Sequence, residues 1–95
     1  MSDLPSREHA DDVVDGNAVA GLLAAAFGSD MTDVRGKCAH CHTVSLVGEL
    51  RAYVRAPGSV LRCPACDGVV IRIVETPGGL HVDVRGASFL RFAPR

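Results

Sequence analysis

The sequence lacks an apolar run long enough to cross a membrane. Its longest apolar stretch, Ala18 to Phe27, has 10 residues and includes a glycine, whereas a membrane-spanning helix needs about 20. The polar, acidic start Met-Ser-Asp-Leu-Pro-Ser-Arg-Glu does not have the pattern of a secretory signal. These absences predict a cytoplasmic protein without membrane contact, and in that compartment paired cysteines are more often metal ligands than disulfides.

The sequence also lacks the residue patterns of common catalytic sites. It contains no recognisable Ser/His/Asp set, no glycine-rich loop that would hold phosphates and no pair of carboxylates in a preformed pocket. A domain this small has little room for a substrate cavity. We therefore predict that the protein is not an enzyme and has no small-molecule substrate.

Length and charge divide the chain into a short leader and one domain. Residues 1–12 carry five charged side chains and a proline with almost nothing to bury, which predicts a disordered acidic tail. Residues 13–95 are expected to form a single domain, and roughly 80 residues supply only a few kcal/mol of net stability. Such a domain needs an additional constraint, and the four cysteines are the candidate.

The four cysteines follow the pattern Cys-x2-Cys, a gap of 21 residues, and Cys-x2-Cys again. Two residues between the thiols allow one tight turn to direct both sulfurs to a point, and the second turn supplies the other half of a tetrahedron. The spacing predicts one structural Zn²⁺ held by Cys38, Cys41, Cys63 and Cys66. Because four protein ligands close the site, no position is left for a substrate.

Two other uses of these cysteines remain open. A redox dithiol requires a Cys-x-x-Cys pair at the start of a helix in a βαβ unit, whereas both pairs here lie between predicted strands. A rubredoxin-type iron carrier is the second alternative, because Cys63-Pro64-Ala65-Cys66 resembles a rubredoxin turn. Rubredoxins pack an aromatic core, however, and this sequence has no tryptophan and one tyrosine. Zinc is therefore the preferred metal.

The hydropathy pattern predicts a short helix near the N-terminus. Over residues 17–27 the apolar residues recur at helical spacing, and we define the helix face as Val19, Leu22, Leu23 and Phe27. Asp15 or Asn17 is expected to cap the start of this helix, and Gly28 suits a left-handed residue at its end.

The remainder of the sequence has the alternating pattern of β-strands. Strands are predicted over residues 32–37, 50–55, 60–63, 68–75, 80–85 and 88–92. In the predicted strand 80–85, Leu80, Val82 and Val84 are expected to face inward. The expected fold is small and mainly β: a zinc ribbon with two Cys-x2-Cys knuckles, an antiparallel hairpin or meander and a short N-terminal helix.

Several segments outside the cysteine pairs carry a family resemblance. They are Asp15 to Leu23, Phe27 to Thr32, Tyr53 to Gly58, Leu61 to Pro64 and Val84 to Gly86. Together with both cysteine pairs they resemble, over residues 13–92, a family of small actinobacterial zinc-ribbon proteins of unknown function. The resemblance implies the fold and the metal but no activity. Where a glycine is expected after each cysteine pair, the sequence has His42 and Asp67, which tolerate a left-handed backbone better than most residues.

Two functions remain open for such a ribbon. The first is a macromolecular interaction module, such as a regulator associated with transcription or translation, with a protein or nucleic acid as partner. Arg51, Tyr53 and Arg55 alternate on one predicted strand face, where they offer a ring for stacking and two guanidinium groups for phosphates. The second is a protein-binding or self-associating module that uses the helix face. The simpler explanations are a solvated strand face and packing of the helix within its own domain.

Overall fold

The computed structural model describes residues 13–55 and 57–92. The disordered tail predicted for residues 1–12 lies outside the described residues. The end of the predicted domain, residues 93–95, and Ala56 in a predicted turn also lie outside them.

The described residues form eight strands, one α-helix and two 3-10 turns. The strands are β1 (Val13–Asp15), β2 (Arg35–Cys38), β3 (Val44–Leu46), β4 (Arg51–Arg55), β5 (Gly58–Arg62), β6 (Val69–Thr76), β7 (Gly79–Asp83) and β8 (Ala87–Arg91). The helix α1 is Ala20–Phe27, and the 3-10 turns are Gly16–Val19 and Val47–Glu49. The expected fold class, a mainly β ribbon with antiparallel sheets, one short helix and clustered cysteines, is confirmed.

The strands form two antiparallel sheets. One has five strands in the order β1-β4-β5-β6-β7, and the other has three in the order β3-β2-β8. The first cysteine pair lies at the connection between β2 and β3, in the three-stranded sheet, and the second lies between β5 and β6, in the five-stranded sheet. A metal ion held by all four cysteines would therefore join the two sheets.

Local signals in the sequence set the limits of the helical segment. The carboxylate of Asp15 accepts a hydrogen bond of 3.1 Å from the backbone N–H of Ala18, as expected for a cap. Gly28 follows the last helical residue with a φ of 81°, and its N–H donates to the carbonyl of Ala24 at 2.7 Å. The first part of the predicted helix 17–27 is a 3-10 turn rather than α-helix. In that turn Gly16 packs so closely on the Val47 carbonyl that a Cβ would overlap it.

The core is built from the helix, the inner face of the five-stranded sheet and the segments before β2 and β4. The largest fully buried side chains are Leu23, Met31, Leu61, Ile71, Ile73, Val47 and Cys63. Cys38 is also buried in this cluster. Two of the four predicted ligands are therefore part of the apolar core, so that metal binding and core packing involve the same residues.

The prediction that Leu80, Val82 and Val84 of the predicted strand 80–85 face inward is wrong for two of them. Leu80 and Val84 are 38% and 37% exposed, and only Val82 packs against the core. Leu80 pairs with the exposed Glu75 near the hairpin turn, away from the core, and Val84 follows the end of β7.

Candidate metal centre and adjoining surfaces

The four cysteine sulfurs converge on one point between the two sheets. The Sγ atoms of Cys38 and Cys66 lie 3.7 Å apart, as do those of Cys41 and Cys63, and all four lie within 4.8 Å of one another. A tetrahedron of sulfurs with metal–sulfur bonds of about 2.3 Å has edges of about 3.8 Å, whereas a disulfide needs about 2.05 Å. The spacing fits one four-coordinate metal ion and does not fit disulfides.

The first cysteine turn is shaped by hydrogen bonds around Cys38. The N–H of His42 donates to the carbonyl of Cys38, and the N–H of Cys38 donates to that of Thr43, both at 2.9 Å. The N–H of His40 points at the Cys38 sulfur at 3.4 Å, and the Thr43 hydroxyl lies 3.2 Å from the Cys41 sulfur. His42 has a φ of 69°, the left-handed backbone predicted for this position.

The second cysteine turn repeats this arrangement around Cys63. The N–H of Asp67 donates to the carbonyl of Cys63, and the N–H of Cys63 donates to that of Gly68, both at 2.8 Å. The N–H groups of Ala65 and Gly68 point at the sulfurs of Cys63 and Cys66, at 3.4 and 3.3 Å. Asp67 has the predicted left-handed backbone, with a φ of 66°. Both turns thus direct hydrogen-bond donors at their sulfurs, and such donors favour thiolates.

The environment of the cluster shifts the acidities of its thiols in opposite directions. Hydrogen bonds from the hydroxyl and the backbone N–H of Thr43 lower the pKa of Cys41 to about 6. The N–H of Gly68 favours the thiolate of Cys66, but partial desolvation and the neighbouring thiols outweigh it and raise the pKa of Cys66 to about 12. Four thiolates at this spacing repel one another, and a divalent cation among them offsets the repulsion.

Contacts between protein groups also join the two turns. The ring of His40 reaches from the first turn to the carbonyl oxygen of Val69, with Nε2 at 3.2 Å. A Cβ on Gly68 would overlap the same ring. The N–H of Ala39 donates to the carbonyl of Gly86 at 2.8 Å, and Gly86 packs so closely on the backbone of Val69 that a Cβ would overlap it. The cysteine pairs are therefore held together by the protein around them as well as by any metal.

The three residues predicted to contact nucleic acid share the solvent face of the five-stranded sheet. Arg51, Tyr53 and Arg55 alternate along β4 on the face opposite to Ala52, which is fully buried. Arg51 pairs with Arg62 on β5, and directly paired residues of antiparallel strands lie on the same face. Arg62 therefore belongs to this surface. The alternating pattern of β4 alone does not show that Arg62 belongs to this surface. The pairing of β4 with β5 shows it.

A groove runs over this face beside Tyr53. It encloses about 610 Å³, and its lining includes Val13, Tyr53, Val60 and Arg62. The guanidinium carbon of Arg62 lies 5.4 Å from the centre of the Tyr53 ring, and Nη1 of Arg62 donates to the carbonyl of Asp67 at 2.9 Å. Arg62 thus connects the second cysteine turn to the groove, and the groove combines an aromatic ring with a planar cation.

The helix face packs against the protein's own core. Leu23 is fully buried, and Val19, Leu22 and Phe27 are half-buried against the core cluster. The side chains of these three residues keep part of their surface exposed. The use of the helix face by a partner stays a prediction.

Over residues 13–55 and 57–92, fold and site together define a small antiparallel β ribbon with a four-cysteine site that can hold a metal ion. The sequence matches over residues 7–95 the family described as a family of unknown function (DUF6510), and the chain belongs to that family. No curated protein and no solved structure matches the chain. None of the helices in the part of the chain that the structure describes is both long enough and apolar enough to cross a membrane.

Proposed function

We propose that this protein is a zinc-dependent, non-catalytic interaction module of the cytoplasm that binds single-stranded nucleic acid. The binding surface is the solvent face of the five-stranded sheet, and the biological role is regulation in transcription or translation. The observation that carries the proposal is the stacking of Arg62 on Tyr53 in a groove of about 610 Å³, next to Arg51 and Arg55 on the same sheet face.

Zinc is the proposed metal because the donor set and its spacing suit it. Zn²⁺ accepts four thiolates in a tetrahedron and has no geometric preference that this site would have to oppose. The residues that would hold it are Cys38, Cys41, Cys63 and Cys66. A zinc ion with four protein ligands is structural, and a binding role requires no change of oxidation state. Iron of the rubredoxin type would use the same residues and remains the alternative.

The groove offers both contacts that single-stranded nucleic acid requires. A base can stack on the ring of Tyr53 or on the guanidinium plane of Arg62, and such stacking contributes about 1–3 kcal/mol per base. Arg51 and Arg55 flank Tyr53 along β4 on the same face, where their guanidinium groups can bind the adjacent phosphates. Stacking tolerates any base, so the proposal is binding without strong sequence preference.

The test is a titration of the zinc-loaded full chain with a labelled single strand of about 12 nucleotides, a length within the usual range of site sizes. Tyr53 is the only tyrosine and the chain has no tryptophan, so quenching of the intrinsic fluorescence reports directly on the groove. We expect salt-dependent binding that is clearly weaker in the variant Arg51→Gln/Arg55→Gln, because two phosphate contacts are lost.

The control for this titration is Arg85→Gln, because the Arg85 side chain is 89% exposed in the connection between β7 and β8, where it forms an ion pair with Asp83. This variant also loses positive charge but should bind almost as the wild type does. A wild-type protein that binds neither DNA nor RNA single strands at low salt would contradict the proposal.

A protein partner is the second candidate, because an apolar groove lies beside the helix. It encloses about 310 Å³, and its lining includes Val19, Leu22, Val54 and Pro57. Val54 is 39% exposed at this groove. If the groove joins two copies of the chain, sedimentation should show a concentration-dependent dimer that Val54→Asp abolishes. A strict monomer at high concentration would exclude self-association.

A further inference from the structure

We infer that the three-stranded sheet carries a second binding face for the same single-stranded nucleic acid. The inference rests on the proposed function for the identity of the ligand, but it rests on different residues. We call this surface the three-stranded face, and it consists of Arg35, Lys37, Val44, Phe89 and Arg91.

The strand register places these five residues on one side of the sheet. Arg35 pairs with Arg91, and Lys37 pairs with Phe89 on β8 and with Val44 on β3. Directly paired residues of antiparallel strands project to the same face. The alternate residues of β2, Gly36 and Cys38, are buried, so the face that carries the cations is the solvent face.

The three cations of this face have no carboxylate partner among the residues that the structure describes. Within residues 13–55 and 57–92, neither Arg35, Lys37 nor Arg91 forms an ion pair. Glu49, the acid that follows β3, instead accepts a hydrogen bond of 3.1 Å from the backbone N–H of Leu46. Three uncompensated positive charges on one sheet face attract a polyanion.

On the five-stranded face, two arginines lie opposite acids in the strand register. Asp15 lies opposite Arg51, and Asp83 lies opposite Arg72 in the strand register. The three-stranded face has no such acid at its paired positions. The cations of the three-stranded face therefore meet no acid across the strands, which favours the binding of phosphates.

The apolar groups of the three-stranded face favour nucleic acid over an acidic protein segment. Phe89 and Val44 are 36% and 47% exposed, and the guanidinium carbon of Arg91 lies 5.3 Å from the centre of the Phe89 ring. This repeats the arrangement of Arg62 on Tyr53. An acidic peptide would need only the cations, whereas an exposed ring among cations also allows bases to stack.

The metal centre connects this face to the first one. Because the two cysteine pairs belong to different sheets, a metal held by all four fixes the position of the three-stranded face relative to the five-stranded face. Removal of the metal should therefore weaken the binding of a single strand that contacts both faces, even though no nucleotide touches the metal.

The test compares the variants Arg35→Gln/Arg91→Gln and Arg51→Gln/Arg55→Gln with the control Arg85→Gln, each as the zinc-loaded full chain. The measurement is the affinity for a labelled single strand as a function of salt concentration. The slope of log K against log salt is negative, and each lost phosphate contact reduces its magnitude by about 0.7. For Arg35→Gln/Arg91→Gln we expect a slope smaller in magnitude by about 1.4 and an affinity about 25-fold weaker at about 0.1 M salt.

The outcomes separate this inference from the proposed function. Normal binding by Arg35→Gln/Arg91→Gln overturns the inference, whether the face is bare, covered by the acidic residues 1–12 or covered by a second copy. Weaker binding by Arg35→Gln/Arg91→Gln together with normal binding by Arg51→Gln/Arg55→Gln supports the inference and contradicts the proposed binding site on the five-stranded sheet. A wild-type chain that binds no single strand overturns both.

A second variant tests the same face if the double variant loses its metal or its fold. Phe89→Leu removes the ring and keeps the charges, so we expect weaker binding with an unchanged salt slope. An affinity equal to that of the wild type would overturn the assignment of Phe89 as a stacking platform and, with it, the inference.

Discussion

The imidazole ring of His40 occupies the space that a side chain at Gly68 would need. The ring crosses from the first cysteine turn to the second, where its Nε2 lies 3.2 Å from the carbonyl oxygen of Val69. Gly86 makes a similarly close approach to the backbone of Val69. These contacts bring the cysteine pairs together, so two glycines far apart in the sequence contribute directly to the geometry of the metal site.

The variant Gly86→Ala should destabilise the protein. Its Cβ would overlap the backbone of Val69, which cannot move away as a flexible side chain could, and overpacking of this kind costs about 1–3 kcal/mol. The matched control is Gly21→Ala, at an exposed helical position with no atom within 4 Å of the added Cβ. The control should raise the free energy of unfolding by about 0.5–1 kcal/mol. Equal effects of the two variants in denaturant unfolding would contradict the close packing at Gly86.

The variant Thr43→Val should release the metal at a higher pH than the wild type. The Thr43 hydroxyl contributes to the low pKa of Cys41, about 6, by stabilising its thiolate. Without this hydroxyl the pKa of Cys41 rises, and protons compete with the metal at higher pH. Metal affinity should fall by about 10–100-fold, the usual effect of losing a hydrogen bond to a ligand. The measurement is an acid titration with a chromogenic zinc indicator. A release curve that coincides with that of the wild type would exclude this role for Thr43.

The ring of Tyr53 should contribute to nucleic-acid binding independently of charge. Tyr53→Leu removes the stacking surface beneath Arg62. The binding free energy should therefore become less favourable by about 1–3 kcal/mol, while the slope of log K against log salt stays constant. Tyr53→Phe keeps the ring and is the control, with binding close to that of the wild type. Anisotropy of a labelled single strand measures both. If Tyr53→Leu binds as tightly as Tyr53→Phe, Tyr53 is not a stacking platform.

The metal site could be predicted from the sequence because its signals are local. The Cys-x2-Cys spacing predicts the convergence of four sulfurs that the structure shows. The left-handed backbones of His42 and Asp67 follow from their position after each pair. The same holds for Gly28 at the end of the helix. Each of these features is determined by a few neighbouring residues, which a single sequence displays directly.

Features that depend on pairing between distant strands could not be predicted. β1 (Val13–Asp15) and β3 (Val44–Leu46) have only three residues each, too few for an alternating pattern to be recognised. Of the predicted strand 32–37, only the end forms a strand, β2 (Arg35–Cys38). The N–H of the buried Val34 donates to the carbonyl of Met31 in a turn, and its carbonyl accepts from the N–H of Val47. The three-stranded face combines residues of β2, β3 and β8, so no single segment carries its pattern.

The variant Cys63→Ser should unfold the ribbon rather than alter its surface. Cys63 is 1% exposed and belongs to the apolar core. The apparent binding free energy of a structural zinc ion is about 10–16 kcal/mol in zinc-finger peptides. This exceeds the few kcal/mol of net stability that a core of this size supplies. The circular dichroism of the variant should match that of the wild type in excess chelator. A native spectrum of either sample would show that folding does not require the metal.

The most direct test of the account is the metal content of the purified protein. Elemental analysis of freshly prepared, reduced and folded chain should find one zinc ion per molecule, bound through the four cysteines. One iron ion in its place would contradict the choice of metal, and folded protein with no bound transition metal would contradict the four-cysteine site on which the fold and both binding faces depend.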